Sequence, residues 1–276
     1  MDIRETRRCN LLNLGAVARY LRMAPEAIFP YYEEILADAP FLVAVNRQVA
    51  RVRGDFGFSK GIFGMENIDS VDWFAFARIL FYVLIRLRRP QHVVETGVFY
   101  GGNTAFMLRA LDRNGSGSLT SIDLPDSVIR AANKAGDRHP MVDDSELYTG
   151  ALQPGCIVPA YLRARWRFIE GDALEVLPTL SGRCDLFVHD SDHAMGFMLR
   201  ELVLAHEIMA PEGLMIADDI DWSNAFHAFV VERRLYPLLL TDNGKDDLRV
   251  RTGLVDLKHP WAEMPAVTGE RLHAAG

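Results

Sequence analysis

Cysteine is scarce in this sequence: three in 276 residues, at positions 9, 156 and 184, with no C-x-x-C pair. That pattern excludes a disulfide framework and a cysteine-built zinc site, and it makes a reducing cytoplasm the expected setting. Long apolar runs are missing too. The most apolar stretch, FAFARILFYVLI at 74–85, contains Arg78 and falls short of the about 20 residues that a bilayer-spanning helix requires. No membrane association is expected. Basic runs are few, RLRRP at 86–90 being the densest, and the formal net charge is −7. A general nucleic-acid binder is thereby excluded, because phosphate contacts need clustered Lys and Arg. At the N-terminus, RETRRCNLLNLGAVA lacks the clean basic and apolar regions of a signal peptide, since Asp2 and Glu5 dilute the first and Asn13 and Gly15 interrupt the second. There is no internal repeat and no low-complexity segment.

What is present is core-forming material, 49% hydrophobic residues, enough for one large α/β domain. Residues 1–56 carry apolar positions at spacings of three and four, punctuated by Pro25, Pro30 and Pro40, and predict helices. GDFGFSKGIFGMENIDS at 54–70 crowds glycine with phenylalanine, a composition that suits a loop serving either as a lid or as a connector. Residues 1–68 are read as a helical cap with this segment, 69–258 as the main domain and 259–276 as a tail. Asp69 or Ser70 can cap a helix that Pro90 ends.

Strand and helix patterns then alternate, as in a mostly parallel sheet covered on both faces. Strands are predicted at 92–96, 118–123, 166–171, 185–190 and 214–219, with helices at about 102–112, 157–165, 173–179 and 192–209. After a further helix, PLLLTD and LRVRTGLVDLK flank an Asn-Gly turn signal and predict a closing antiparallel hairpin, seven strands in all. Residues 126–156 show no sustained period and read as an irregular insertion.

The first strand runs into ETGVFYGGNT at 95–104, where Gly97 and Gly101 let the chain turn tightly and a ligand approach the backbone ahead of a helix. The second ends at Asp123, and a carboxylate there can accept hydrogen bonds from both hydroxyls of a ribose. The spacing is not the G-x-G-x-x-G that cradles a pyrophosphate, so a nicotinamide oxidoreductase is disfavoured. In order, ETGVFYGGNT, Asp123 and GDALEVL after strand three resemble a class I S-adenosylmethionine-dependent methyltransferase over about residues 68–256. The nearer likeness is to the catechol-type and macrocin-like antibiotic-sugar O-methyltransferases. The resemblance implies a Rossmann-like fold and a cofactor surface of Glu95, Thr96, Gly97, Gly101, Asp123, Asp172 and Asp190. Asp172 at the adenine end can equally be a helix cap.

HDSDH at 189–193 and ADDI at 217–220 each place acidic groups where an apolar strand stops. Neighbouring strands would bring them to one carboxyl edge, where like charges demand protons, a cationic partner or a metal. Neither motif contains Lys or Arg, and an all-oxygen set points to Mg²⁺ or a similar divalent cation. The resemblance assigns Asp190, Asp218 and Asp219 as metal ligands and Asp192 as general base. Asp192 could instead simply open the following helix. His193 is the rival base, since imidazole titrates near neutrality. His189 should face the other side of the sheet, in a structural role. VHDSDH fails the metallo-hydrolase pattern H-x-H-x-D-H, because Val188 and Asp190 stand where histidines are needed.

The expected activity is methyl transfer from S-adenosylmethionine to a hydroxyl of a small molecule, such as a sugar or another diol, with a homodimer among the assemblies the N-terminal helices allow. The rivals are a metal-independent N-, C- or carboxyl methyltransferase and a non-catalytic S-adenosylmethionine-binding subunit.

Overall fold

The computed structural model describes residues 3–56, 76–124, 153–241 and 249–258. Most of the 54–70 segment, Asp69, Ser70, the Asn-Gly turn, the tail and nearly all of the 126–156 insertion lie outside the described residues. Seven strands form one sheet: β1 (His92–Thr96), β2 (Ser118–Asp123), β3 (Trp166–Glu170), β4 (Cys184–His189), β5 (Met209–Ala217), β6 (Pro237–Thr241) and β7 (Val250–Asp256). Their order is β3-β2-β1-β4-β5-β7-β6. Every pairing from β3 to β5 is parallel, whereas β7 runs antiparallel to both β5 and β6. The expected hairpin closes the sheet, and β7 inserts between β5 and the edge strand.

Period-two alternation divides the core into two layers. On one face Val93, Leu119, Leu186, Val188, Leu214, Ile216 and Leu254 pack against α1 (Ile3–Tyr20), α2 (Phe29–Leu36), α3 (Ala39–Phe56), α4 (Phe76–Arg88) and α5 (Gly102–Asn114). On the other, Val94, Phe187, Met215, Ala217 and Val255 pack under α6 (Ala173–Val176), α7 (Met195–Ile208) and α8 (Ala225–Glu232). Phe187 is fully buried, which contributes about 1.5–3 kcal/mol of transfer free energy. The N-terminal helices share the first of these cores. Asp38, buried between α2 and α3, accepts from Arg109 Nε at 2.7 Å and from Arg113 at 3.0 Å on α5. Tyr20 Oη donates to the Tyr236 carbonyl at 2.6 Å and accepts from the Asp256 amide at 2.9 Å, which pins α1 to the hairpin.

Several boundaries differ from the sequence reading. The segment read as a helix at 157–165 is a 3-10 helix over Ala160–Arg165. Pro178 converts the end of the 173–179 helix into a separate 3-10 turn, Leu177–Thr179. Helix α7 begins at Met195, not at 192, because the Asp192 carboxylate accepts from the Ala194 amide at 2.7 Å and Ala194 is extended. Strands β4 and β5 end at His189 and Ala217, so Asp190, Asp218 and Asp219 stand in the turns just beyond them.

Candidate active site

The carboxyl ends of β1, β2, β4 and β5 meet at one edge, and backbone bonds continue past the strands to hold the turns together. The Asp190 amide donates to the Thr96 carbonyl at 2.9 Å, the Asp218 amide to the His189 carbonyl at 3.0 Å and the Gly97 amide to the Ile122 carbonyl at 2.9 Å. Gly97 has φ +81°, and a Cβ there would lie 1.9 Å from the Asp190 carbonyl oxygen. Only a residue without a side chain lets the glycine turn rest on the acidic turn. Gly101 has φ +90°, and a Cβ on it would come 2.7 Å from Gly155 Cα. The stretch around Gly155 therefore braces the turn from outside, its amide donating to the Phe99 carbonyl at 2.8 Å.

The carboxylates expected around the nucleoside serve different local ends. Asp123 Oδ2 accepts from the Val98 and Phe99 amides at 2.9 and 2.7 Å, and Oδ1 from the Leu124 amide at 2.8 Å. Burial still raises its pKa against those donors. Glu95 is fully buried on the α5 face, where Thr104 Oγ1 donates to it at 2.9 Å and Ser121 Oγ at 2.6 Å, with Trp166 Nε1 donating in turn to Ser121 Oγ at 2.9 Å. Thr96 points to the opposite face and donates to Glu201 Oε1 at 2.6 Å. Asp172 caps α6 through the Leu174 amide at 2.8 Å, the second of the two roles its position suggested.

Desolvation pushes the Glu95 carboxyl up to about 8, the Ser121 and Thr104 hydroxyls opposing it and the Asp123 charge adding to it. The folded chain thus keeps a proton that the unfolded chain sheds near 4.5. Stability from this group is full at low pH and is lost as pH rises towards about 8. Glu95→Gln should flatten that decline and leave the protein more stable than wild type in alkali. Urea midpoints at acid and alkaline pH measure it, and equal pH slopes for the two proteins would contradict the assignment.

The acidic edge is more finely wired than its sequence suggests. Asn103 Nδ2 donates to Asp190 Oδ2 at 2.6 Å, and Arg78 Nε donates to Asn103 Oδ1 at 3.1 Å. Burial, with the charges of Asp218, Asp219 and Glu95 beside it, drives the Asp190 carboxyl well above the usual carboxylate range, while Arg78 opposes the shift. Asp218 Oδ1 accepts from Thr252 Oγ1 at 3.1 Å. Asp219, at φ +48°, accepts from Arg251 at 3.1 Å. Those partners come from β7: the register Ala217↔Gly253 continues so that the Ile220 amide meets the Arg251 carbonyl at 2.9 Å. A cation therefore does reach the acidic pair, from a strand some thirty residues on and outside both motifs. Its only sequence signal is the hairpin register, which composition does not supply.

His193 is 3% exposed, with neither ring nitrogen hydrogen-bonded among the described residues, and lies against His189 and Trp222. Burial, with His189 nearby, pushes its pKa down to about 4. His189 faces away from Asp190 onto Glu201, the structural orientation expected of it. Trp222 is 48% exposed beside His193, at the rim of this edge.

Asp190 and Asp218 have the oxygen chemistry a divalent cation takes, and the raised pKa of Asp190 is the imbalance such a cation relieves. Asp219 fits less well, because Arg251 already neutralises it. Among the described residues no group of three or more His, Cys, Asp or Glu side chains is arranged to hold a metal ion. No helix among them is long and apolar enough to cross a membrane.

Residues 94–220 match a protein family described as a methyltransferase domain. The O-methyltransferase hkm8 of Aspergillus hancockii is 26% identical over 141 residues, 51% of this chain and 47% of that protein, so the match spans about half of the relative. The O-methyltransferase TomG from Streptomyces achromogenes, involved in tomaymycin synthesis and solved in complex with SAM, superposes with TM-score 0.52 at 15% identity over 84% of this chain and 96% of its own. An O-methyltransferase from Bacillus cereus, solved in complex with SAH, gives TM-score 0.52 at 14% identity over 78% and 90%. The sheet order and terminal hairpin are those of the Rossmann-like class I methyltransferase fold.

Proposed function

We propose, from the match of residues 94–220 to a methyltransferase domain, that this chain is an S-adenosylmethionine-dependent O-methyltransferase acting on a small hydroxylated molecule. The observation that carries the reading is the contact between the two turns. The glycine turn and the acidic turn touch at Gly97 and Asp190 with no room for a methyl group, so a cofactor on the first and an acceptor on the second would be neighbours. Positioning of that kind is worth up to about 7–11 kcal/mol of the barrier.

When bound, the cofactor supplies a methyl group on a sulfonium, and a divalent cation would lower the pKa of the acceptor hydroxyl. Asp190 and Asp218 would hold that cation, and Thr252 and Asn103 orient their carboxylates. Asp123 fixes the amides of the glycine turn, which opens the backbone to the nucleoside. Asp192, half-buried and adjacent, accepts the hydroxyl proton as the oxygen bonds to the methyl carbon and the carbon–sulfur bond breaks. A cation bound through two oxygens favours a vicinal diol, as in a sugar or catechol. A second reading, transfer without metal, is supported by the Arg251–Asp219 pair, which already neutralises part of the cluster.

Calorimetry with S-adenosylmethionine, followed by methylation assays on catechol and a methyl hexoside with and without chelator, tests both readings. Binding should be measurable, and Asp123→Ala should weaken it by about 1.5–3 kcal/mol. Loss of activity on chelation and its return with Mg²⁺ support the metal reading, and full activity in chelator supports the second. A wild type that does not bind the cofactor would sink both.

A further inference from the structure

One buried side chain ties the cofactor strand to the acidic turn without belonging to either. Glu201, in the middle of α7, has no exposed surface. Its Oε1 accepts from Thr96 Oγ1 at 2.6 Å and meets His189 Nδ1 at 2.6 Å. Its Oε2 accepts from Ser191 Oγ at 2.6 Å. Thr96 is the last residue of β1, directly before Gly97, and His189 is the last of β4, directly before Asp190. Ser191 separates Asp190 from Asp192. A single carboxylate thus grips the residue before the glycine turn, the residue before Asp190, and the residue between the two aspartates.

We propose that Glu201 is a positioning residue for methyl transfer: it fixes the acidic turn against the glycine turn and so sets the distance between acceptor and methyl donor. This rests on the activity proposed above. A carboxylate buried away from water is costly unless its lone pairs are filled, and an apolar replacement of similar volume is often at least as stable. Core packing alone is therefore a weak reason for Glu at this position, whereas three short bonds to two segments of the site, the end of β1 and the end of β4 with its turn, specify their relative placement. The Ser191 bond matters most, because the turn it anchors carries both Asp190 and Asp192. The Thr96 bond supplies the opposite anchor. The Thr96 and Ser191 hydroxyls should act as one unit, because they meet at Glu201 and reinforce the backbone bond from the Asp190 amide to the Thr96 carbonyl.

The test compares Glu201→Gln, Ser191→Ala, Thr96→Val and the Thr96/Ser191 double variant in the full chain. The probe is whichever of catechol and the methyl hexoside the wild type methylates. Cofactor affinity is read by calorimetry and folding by thermal melting. Ser191→Ala and Glu201→Gln should lower kcat by about 10²-fold, the usual effect of displacing reacting groups by about 1 Å, with cofactor affinity unchanged. The Thr96 and Ser191 changes should be non-additive in kcat, and in the Glu201→Gln background both should become nearly silent. Should Glu201→Gln not fold, the two single hydroxyl deletions and their coupling decide alone. The proposal is overturned if the folded variants turn over like wild type, or if the Thr96 and Ser191 effects simply add. A wild type that binds cofactor but methylates neither probe removes the proposed activity and this role together, whereas an active wild type with indifferent variants removes only the role of Glu201.

Discussion

Replacing Gly97 with alanine should abolish cofactor binding and lower folding stability by more than the about 1–3 kcal/mol that a strained backbone conformation costs by itself. The excess comes from contact. The added Cβ would lie 1.9 Å from the Asp190 carbonyl oxygen, 2.4 Å from its carbon and 2.8 Å from the Ser191 nitrogen. These are backbone atoms, so no rotamer change relieves the overlap, and the two turns must separate. Gly115 supplies the control, because its φ is +69° but a Cβ on it would meet nothing within 4 Å. Gly115→Ala should show the conformational cost alone. Urea unfolding of both variants, with calorimetric titration of S-adenosylmethionine, separates strain from contact. Equal stability losses and an intact cofactor affinity in Gly97→Ala would mean that the two turns are not locked together.

Asp192→Asn should reduce turnover by about 10²–10⁴-fold, the usual worth of a positioned general base, and leave cofactor binding intact. The substitution keeps the local turn, because the Asp192 oxygen that accepts from the Ala194 amide can be replaced by an amide oxygen. His193→Asn should cost far less. That imidazole is buried, at 3% exposure, whereas Asp192 sits at the accessible side of the turn. With 4-nitrocatechol, whose hydroxyl ionises more readily, the Asp192→Asn deficit should shrink. Single-turnover rates for both variants on catechol and 4-nitrocatechol provide the measurement. A silent Asp192→Asn beside a crippled His193→Asn would reverse the two roles.

The sheet was legible because its strands are short apolar runs closed by punctuation. β1 and β2 fall at 92–96 and 118–123, the predicted limits, bounded by Pro90 with Gly97 and by Gly117 with Pro125. The gathering of Asp190, Asp218 and Asp219 followed from parallel neighbours ending together. What the linear pattern could not carry was contact from distant chain. Arg251 and Thr252 reach the acidic pair only because β7 inserts beside β5, and in the sequence Glu201 looks no different from Arg200, His206 and Glu207 on the same helix. Likewise α7 reads as beginning at Asp192 on propensity, but the side chain of that residue competes for the Ala194 amide and delays the helix by three residues.

The placement of β7 bears on how this fold can be cut, fused or exchanged between relatives. The stretch shared with the methyltransferase-domain family stops at residue 220, before the strand that supplies Arg251 to Asp219 and Thr252 to Asp218. An excised 94–220 fragment would keep every acidic group of the edge and discard the partners that tame them, together with the helices that Tyr20 and Asp38 fasten to the rest. The unit of homology and the unit of folding are different lengths here. A chimaera that swaps acceptor preference by exchanging the central segment must therefore bring the matching final strand with it.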